Sequence, residues 1–190
     1  MPSPSVSFKL SASQLLDKAA ELLKTSVTDV FDTIFAMSVT IHKLQEIYES
    51  DDEFVAVSVG FVGGISGVVY MYLREPFADA LITRLLMSIE CGIDEGEMMA
   101  DALGELGNMI VGPVKSYLSD MGFPCTLTLP LVVRGNGLLA DPVGANDRRA
   151  LVICCGDETI QLELILKPSR KPQGSSCVTD ILAGQLAARS

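Results

Sequence analysis

The chain has 190 residues, 48% apolar and 20% charged, with no Trp and a formal charge of −10. That length suits one ordinary domain with a real core, and the composition is globular, not disordered. The charge, with no run of basic residues, excludes unassisted nucleic-acid binding, which needs clustered Lys and Arg; an acidic surface instead suits a partner with exposed lysines.

Residues 1–12 read as a polar leader rich in Ser and Pro, without the apolar core of a signal peptide. Good helix formers at helical spacing predict a short helix over 15–23 and a second over 27–38, the latter with Val30, Ile34 and Met37 on one stripe. Residues 40–48 fit neither period. From Phe54 to Leu73 twenty residues carry no charge, the length of a membrane span. Yet Val55, Val57, Val59 and Phe61 alternate with Ala56, Ser58, Gly60 and Val62, and Gly63-Gly64 falls midway. Two strands joined by a glycine turn explain this better than a membrane helix.

Pro76 stands where a helix can begin, and 77–87 has helical periodicity. After a loop with Gly92 and Asp94 comes the longest helix, about 95–120, stopped by Gly122 and Pro124. Strands are expected over 126–134, 149–155 and 159–166, with Gly156-Asp157 supplying turn chemistry. Residues 167–176 read as a linker, and 178–188 as a short terminal helix.

Five cysteines form no CxxC pair, and the single histidine, His42, has no neighbour at ligand spacing, so a structural zinc site is not expected. Cys154 and Cys155 should point to opposite faces of a strand, as buried reduced thiols. An odd cysteine count without a secretory signal fits a reducing cytoplasm.

The long helix carries the candidate chemistry. Met99, Leu103, Leu106, Ile110, Val114 and Leu118 recur every three or four residues and must face the core. At roughly 100° per residue, Asp101, Glu105, Asn108 and Gly112 then lie together on nearly the opposite side. Gly104, Gly107 and Gly112 each cost about 1 kcal/mol in a helix, which makes sense if another backbone or a partner comes close. Pro113 should kink the helix, because it removes the bond to the Met109 carbonyl. Glu and Asn three apart are common, and alone they describe an ordinary exposed face.

More than the pair is present. Asp101-x3-Glu105-x2-Asn108, then Pro130 after twenty-one residues, resembles the signature of the CheC, CheX and FliY phosphatases of bacterial chemotaxis. Gly104-Glu105-Leu106-Gly107-Asn108-Met109, Leu129-Pro130-Leu131-Val132-Val133-x-Gly135 and Gly63-Gly64-Ile65-x-Gly67 carry the same likeness. It runs from about Ser26 to Leu166 and is strongest to the CheX branch. It implies a leader over 1–25, a CheX-like domain over 26–167 and a tail over 168–190.

The resemblance also implies roles. Glu105 would pair with a lysine of a CheY-like receiver domain, and Asn108 would position water in line with the phosphorus of its phospho-aspartate. Pro130 would fix the strand beside the helix, Asp101 would cap or orient locally, and Gly104 and Gly107 would support the pair. Any Mg²⁺ would belong to the receiver, leaving this chain with no cofactor or metal of its own. Family members with two active helices repeat Glu-x2-Asn in the first half; here Asp32 is followed by Phe35 where Asn would fall. One site per chain is expected, with Asp32 a solvated helix residue.

The expected fold is α+β, a mostly antiparallel sheet with the long helix and the 27–38 helix on one face. Its open edges invite pairing between chains, and a homodimer is expected. Function reads as dephosphorylation of a CheY-like response regulator. The alternative is a non-catalytic receiver-binding adaptor or motor-switch-like module with the same fold.

Overall fold

The computed structural model describes residues 11–43, 53–86, 95–136 and 148–168. The expected leader before residue 11, the loop with Gly92 and Asp94, the linker beyond 168 and the 178–188 helix lie outside these residues.

Helix α1 spans Ala12–Phe35 and starts on a capping box. The Ser11 hydroxyl accepts from the Gln14 N–H at 3.2 Å, and the Gln14 side chain accepts from the Ser11 N–H at 2.9 Å. The two helices expected here are therefore one, and the expected division after residue 25 falls inside it. No Gly or Pro breaks Lys24-Thr25-Ser26, and the apolar stripe continues unbroken from Leu16 and Leu23 to Val27 and Phe31, all fully buried. The helix ends at Phe35, earlier than the expected 38, because Ala36 turns left-handed (φ 50°) and Met37 N–H donates back to Phe31 O at 3.0 Å.

Strand β1 is Thr40–Lys43, followed by β2 Glu53–Gly63 and β3 Ile65–Arg74, the expected hairpin. Helix α2 is Glu75–Leu86 and α3 is Glu95–Asp120, with the latter's bounds as read from its stripe. Then come β4 Cys125–Leu127, β5 Leu131–Asn136, β6 Arg148–Cys155 and β7 Glu158–Pro168. All pairings are antiparallel, in the order β1-β6-β7-β3-β2-β4, with β5 continuing the edge beyond β4 along β2. The fold is the expected α+β sheet with α1 and α3 on one face, and α2 joins them through buried Phe77, Ala78, Leu81 and Ile82. The core lies between those helices and Val55, Val57, Val59, Val69, Met71, Ile160, Leu162 and Leu164 of the sheet.

The strand expected over 126–134 is interrupted. Phe61 pairs with Leu127 and Ser58 with Leu131, so residues 128–130 oppose only Val59 and Gly60. Three residues against two is a β-bulge. Pro130, which has no N–H to give the ladder, explains why pairing fails there. Thr128 holds the bulge in place: its N–H donates to Gly60 O at 2.8 Å, and its hydroxyl accepts from Gly60 N–H at 2.9 Å while donating to Leu129 O at 3.1 Å.

On the face away from the helices the fully buried Glu163 pairs with Arg148. Burial pushes the Glu163 carboxyl above the ordinary 4.5, with Arg148 pulling the other way. Cys155 faces the core and is buried while Cys154, beside it, is half-exposed; both are free thiols, as is buried Cys125. No described helix is long and apolar enough to cross a membrane.

Candidate functional site

Helix α3 presents its candidate residues as the 100° rotation predicts. Leu103, Leu106, Ile110, Val114 and Leu118 are buried, whereas Asp101 and Glu105 are exposed and Asn108 is half-buried. Glu105 and Asn108 are three residues apart, which puts their Cβ atoms roughly 5–6 Å apart on one side of the helix.

Three neighbours hold this stretch of helix down. A Cβ on Gly107 would lie 3.0 Å from Val59 Cγ2 and 3.1 Å from Val57 Cγ1, so its missing side chain lets the helix settle on β2. A Cβ on Gly104 would lie 3.1 Å from Pro130 Cβ, so Gly104 is where the bulge meets the helix. Gly112 has no such neighbour within 4 Å, and the expected close approach there is not found among the described residues. The third contact answers Pro113. Helix α3 runs on through Pro113, whose missing N–H leaves the Met109 carbonyl without its helical donor. Buried Ser26 of α1 supplies one, its hydroxyl donating to Met109 O at 3.3 Å.

Asp101, Gly104, Glu105 and Asn108 form one wall of an open groove of about 590 Å³; Leu129, Pro130 and Val132 of the bulged edge form the other. The groove therefore brings together all six residues singled out from the sequence except Gly107, which sits beneath it against the sheet. Among the described residues it has no cationic lining residue, and neither Asp101 nor Glu105 makes an ion pair. The Asn108 Oδ1 atom is buried and without a hydrogen-bond partner among the described residues. Because the two ends of a carboxamide are nearly isosteric, a half-turn exchanges donor and acceptor there. Such a wall can bind a cation through its acids and hold a small polar molecule through the amide. Among the described residues no three His, Cys, Asp or Glu side chains gather as a metal would need.

On α1, Asp32 is exposed and Phe35 is buried against Phe31, the ring centroids 5.3 Å apart. An apolar ring thus fills the position where a second amide would fall. Sequence reasoning names Leu129 and Val132 only as members of the segment around Pro130 and gives no role to them or to Ser26. A proline in the middle of an alternating run was the available signal for the bulge. Nothing local points to Ser26, which acts across 83 residues.

No curated protein sequence matches the chain significantly. Solved structures with the same fold include a chemotaxis protein CheX from Vibrio vulnificus, 21% identical with a TM-score of 0.64, covering 79% of this chain and 97% of that one. A CheC-like superfamily protein from Shewanella sp. PV-4 is 21% identical (TM-score 0.65; 83% and 99% covered). A CheX–CheY complex with BeF3 and Mg²⁺ from Borrelia burgdorferi matches at 18% identity (TM-score 0.65; 82% and 99% covered). At these identities the likeness is one of fold. The family model for chemotaxis phosphatase CheX matches residues 55–155, from β2 through β6 and across the whole of α3 and the bulge, and the chain belongs to that family.

Proposed function

We propose that this protein hydrolyses the phospho-aspartate of a CheY-like response regulator, with Asn108 positioning the attacking water and Glu105 docking to a lysine of the receiver. The observation that carries the reading is the open groove in which a firmly seated helix offers an exposed carboxylate and a half-buried carboxamide one turn apart. Family membership and a relative described as a CheX–CheY complex support the partner class.

The chemistry asks little covalent work of the protein. Water attacks phosphorus as the bond to the aspartyl oxygen breaks; the receiver recovers its carboxylate and phosphate leaves with the water's oxygen. Such transfers are governed by positioning and charge stabilisation. A carboxamide can accept a hydrogen bond from the water without titrating, which suits in-line placement. Glu105 serves as an electrostatic contact that fixes register. On this reading Mg²⁺ belongs to the receiver and this chain supplies no metal ligand. Pro130 and Gly104 set the distance between bulge and helix, Gly107 seats the helix, and Asp101 adds negative charge beside Glu105.

The test is release of inorganic phosphate from phosphorylated CheY-type receivers with Mg²⁺, comparing wild type with Asn108→Ala. Wild type should shorten the phosphate lifetime and Asn108→Ala should lose at least about a hundredfold of that effect, the scale of a lost positioning group. Pull-down of the same receivers separates the adaptor reading: stable capture with no change in lifetime would leave a binding module. On the same reading the site of action is the cytoplasm, where receivers reside. The sheet ends in β1 on one side and β4 with β5 on the other, and pairing of such edges between copies would give a homodimer. Sedimentation should then give twice the chain mass; a monomer at micromolar concentration overturns that part.

A further inference from the structure

A single exposed leucine is ordinary on a protein surface and implies nothing by itself. Leu129 differs in how it comes to be exposed. It lies in the three-residue segment that opposes two residues of β2, so the sheet gives up regular pairing at this point. Thr128 ties the segment to Gly60 on one side, and Pro130 sits against Gly104 of α3 on the other. Between those two anchors Leu129 is 91% exposed and lines the groove that holds Glu105 and Asn108. Bulges beside sites commonly re-aim a side chain in this way.

We infer that Leu129 is an apolar anchor for the receiver domain, fixing how deep and at what angle the phosphorylated cleft meets Asn108. The inference rests on the proposed phosphatase reading and names the surface that the partner must bring. Anything large enough to carry its reacting group to Asn108 covers the groove, and Leu129 forms part of the opposite wall. Half-buried Val132 lines the same wall and extends its apolar strip. The acids Asp101 and Glu105 stand across the groove, with no cation paired to them among the described residues. The matching patch on the receiver is therefore a lysine or arginine next to an apolar side chain, with the acyl phosphate beyond them. Leu129 touches no reacting atom in this account; it is a docking residue.

The experiment measures phosphate release under steady-state conditions from a CheY-type receiver phosphorylated with acetyl phosphate and Mg²⁺. Wild type is compared with Leu129→Ala, Leu129→Asp, Asn108→Ala and an exposed control that does not line the groove, Val62→Ala. Desolvating a leucine side chain is worth about tenfold to a hundredfold in affinity. Leu129→Ala should raise KM about tenfold and Leu129→Asp about a hundredfold, with kcat within about twofold of wild type. Asn108→Ala should lower kcat instead, and Val62→Ala should change neither. Unfolding midpoints of the Leu129 variants should match wild type, since the side chain is almost wholly exposed.

Unchanged KM in Leu129→Asp, while wild type is active and Asn108→Ala is not, overturns the anchor and leaves the phosphatase reading intact. If wild type dephosphorylates none of the receivers tried, both fall. If Leu129→Asp converts a dimer to a monomer with KM unchanged, the side chain belongs to an interface between copies and the proposal is overturned.

Discussion

Ser26 and Pro113 should be energetically coupled, although 87 residues apart in the chain. In an α-helix the N–H of residue 113 would serve the carbonyl of Met109, and proline has none to give. The hydroxyl of Ser26, itself only 6% exposed, donates to that carbonyl at 3.3 Å. Ser26→Ala leaves a part-buried carbonyl without this donor, and a fully buried unpaired group costs about 1–3 kcal/mol. The bond is long for O–H···O, so the lower end applies: about 1 kcal/mol, or about 3 °C in Tm for a chain this size. Pro113→Ala restores the helical N–H and removes the interior proline, so it should stabilise by about 1–2 kcal/mol after allowing for a freer unfolded chain. In that background the Met109 carbonyl no longer depends on Ser26, and Ser26→Ala should cost under about 0.5 kcal/mol. Urea unfolding of wild type, both single variants and the double variant gives the coupling directly. Equal costs of Ser26→Ala in the two backgrounds would refute the idea that α1 replaces the donor that proline removed.

Two further perturbations test the seat of the helix and the buried acid. Gly107→Ala places a methyl 3.0–3.1 Å from Val59 and Val57, with a void of only about 10 Å³ nearby to absorb it. Overpacking of about 1–3 kcal/mol less about 1 kcal/mol of helix propensity leaves a net loss near 1 kcal/mol, rising to about 3 kcal/mol for Gly107→Val; a Gly107→Val protein as stable as wild type in thermal melts would contradict the close seat. Glu163 is held above its ordinary 4.5 by burial, so the folded state binds its proton more tightly than the unfolded chain does. Its contribution to stability is full below that value and is lost as pH rises through the folded-state pKa. Arg148→Met removes the cation opposing this shift and should steepen the loss of stability as pH rises above 4.5, whereas Glu163→Gln should flatten it; denaturation midpoints measured upward from that pH decide, and parallel pH profiles for all three proteins would defeat the account.

What the sequence revealed and what it hid divide along sequence separation. The α3 stripe, its stop at Gly122 and the alternation around Gly63-Gly64 are local patterns, and each element lies where periodicity places it. The continuity of α1 was missed because Lys24-Thr25-Ser26 looks polar. That polarity is no break, since the Thr25 and Thr28 hydroxyls turn back onto helix carbonyls, at 3.2 and 3.0 Å, and the apolar stripe continues past them. The bulge was half visible: Pro130 marks a fault in the strand, but only the pairing of Leu127 with Phe61 and Leu131 with Ser58 shows that one residue is extra. The candidate site divides in the same way. Asp101, Glu105 and Asn108 share a helix face by arithmetic alone, whereas the wall opposite them, with Leu129 and Val132, comes from another part of the chain and obeys no period.

The contacts that hide from sequence are also those that set how firmly Asn108 is held. Its chain neighbours on either side are tied down from different directions: Gly107 onto β2 and the Met109 carbonyl onto α1, with Gly104 against the bulge one turn earlier. A free amide on a mobile helix would lose conformational freedom each time it placed a water; one already fixed at three neighbouring points has little left to lose. Gly104, Gly107 and Pro113 near Asn108 are thus compatible with a rigid helix because each is matched by a partner at close range. It follows that substitutions at Gly104, Gly107 and Ser26, none of which lines up with a reacting atom, should act on kcat through the placement of Asn108, while Leu129 should act on KM. A variant of Ser26 or Gly107 that loosened α3 yet raised only KM would mean that the amide does not depend on the rigidity of the helix beneath it.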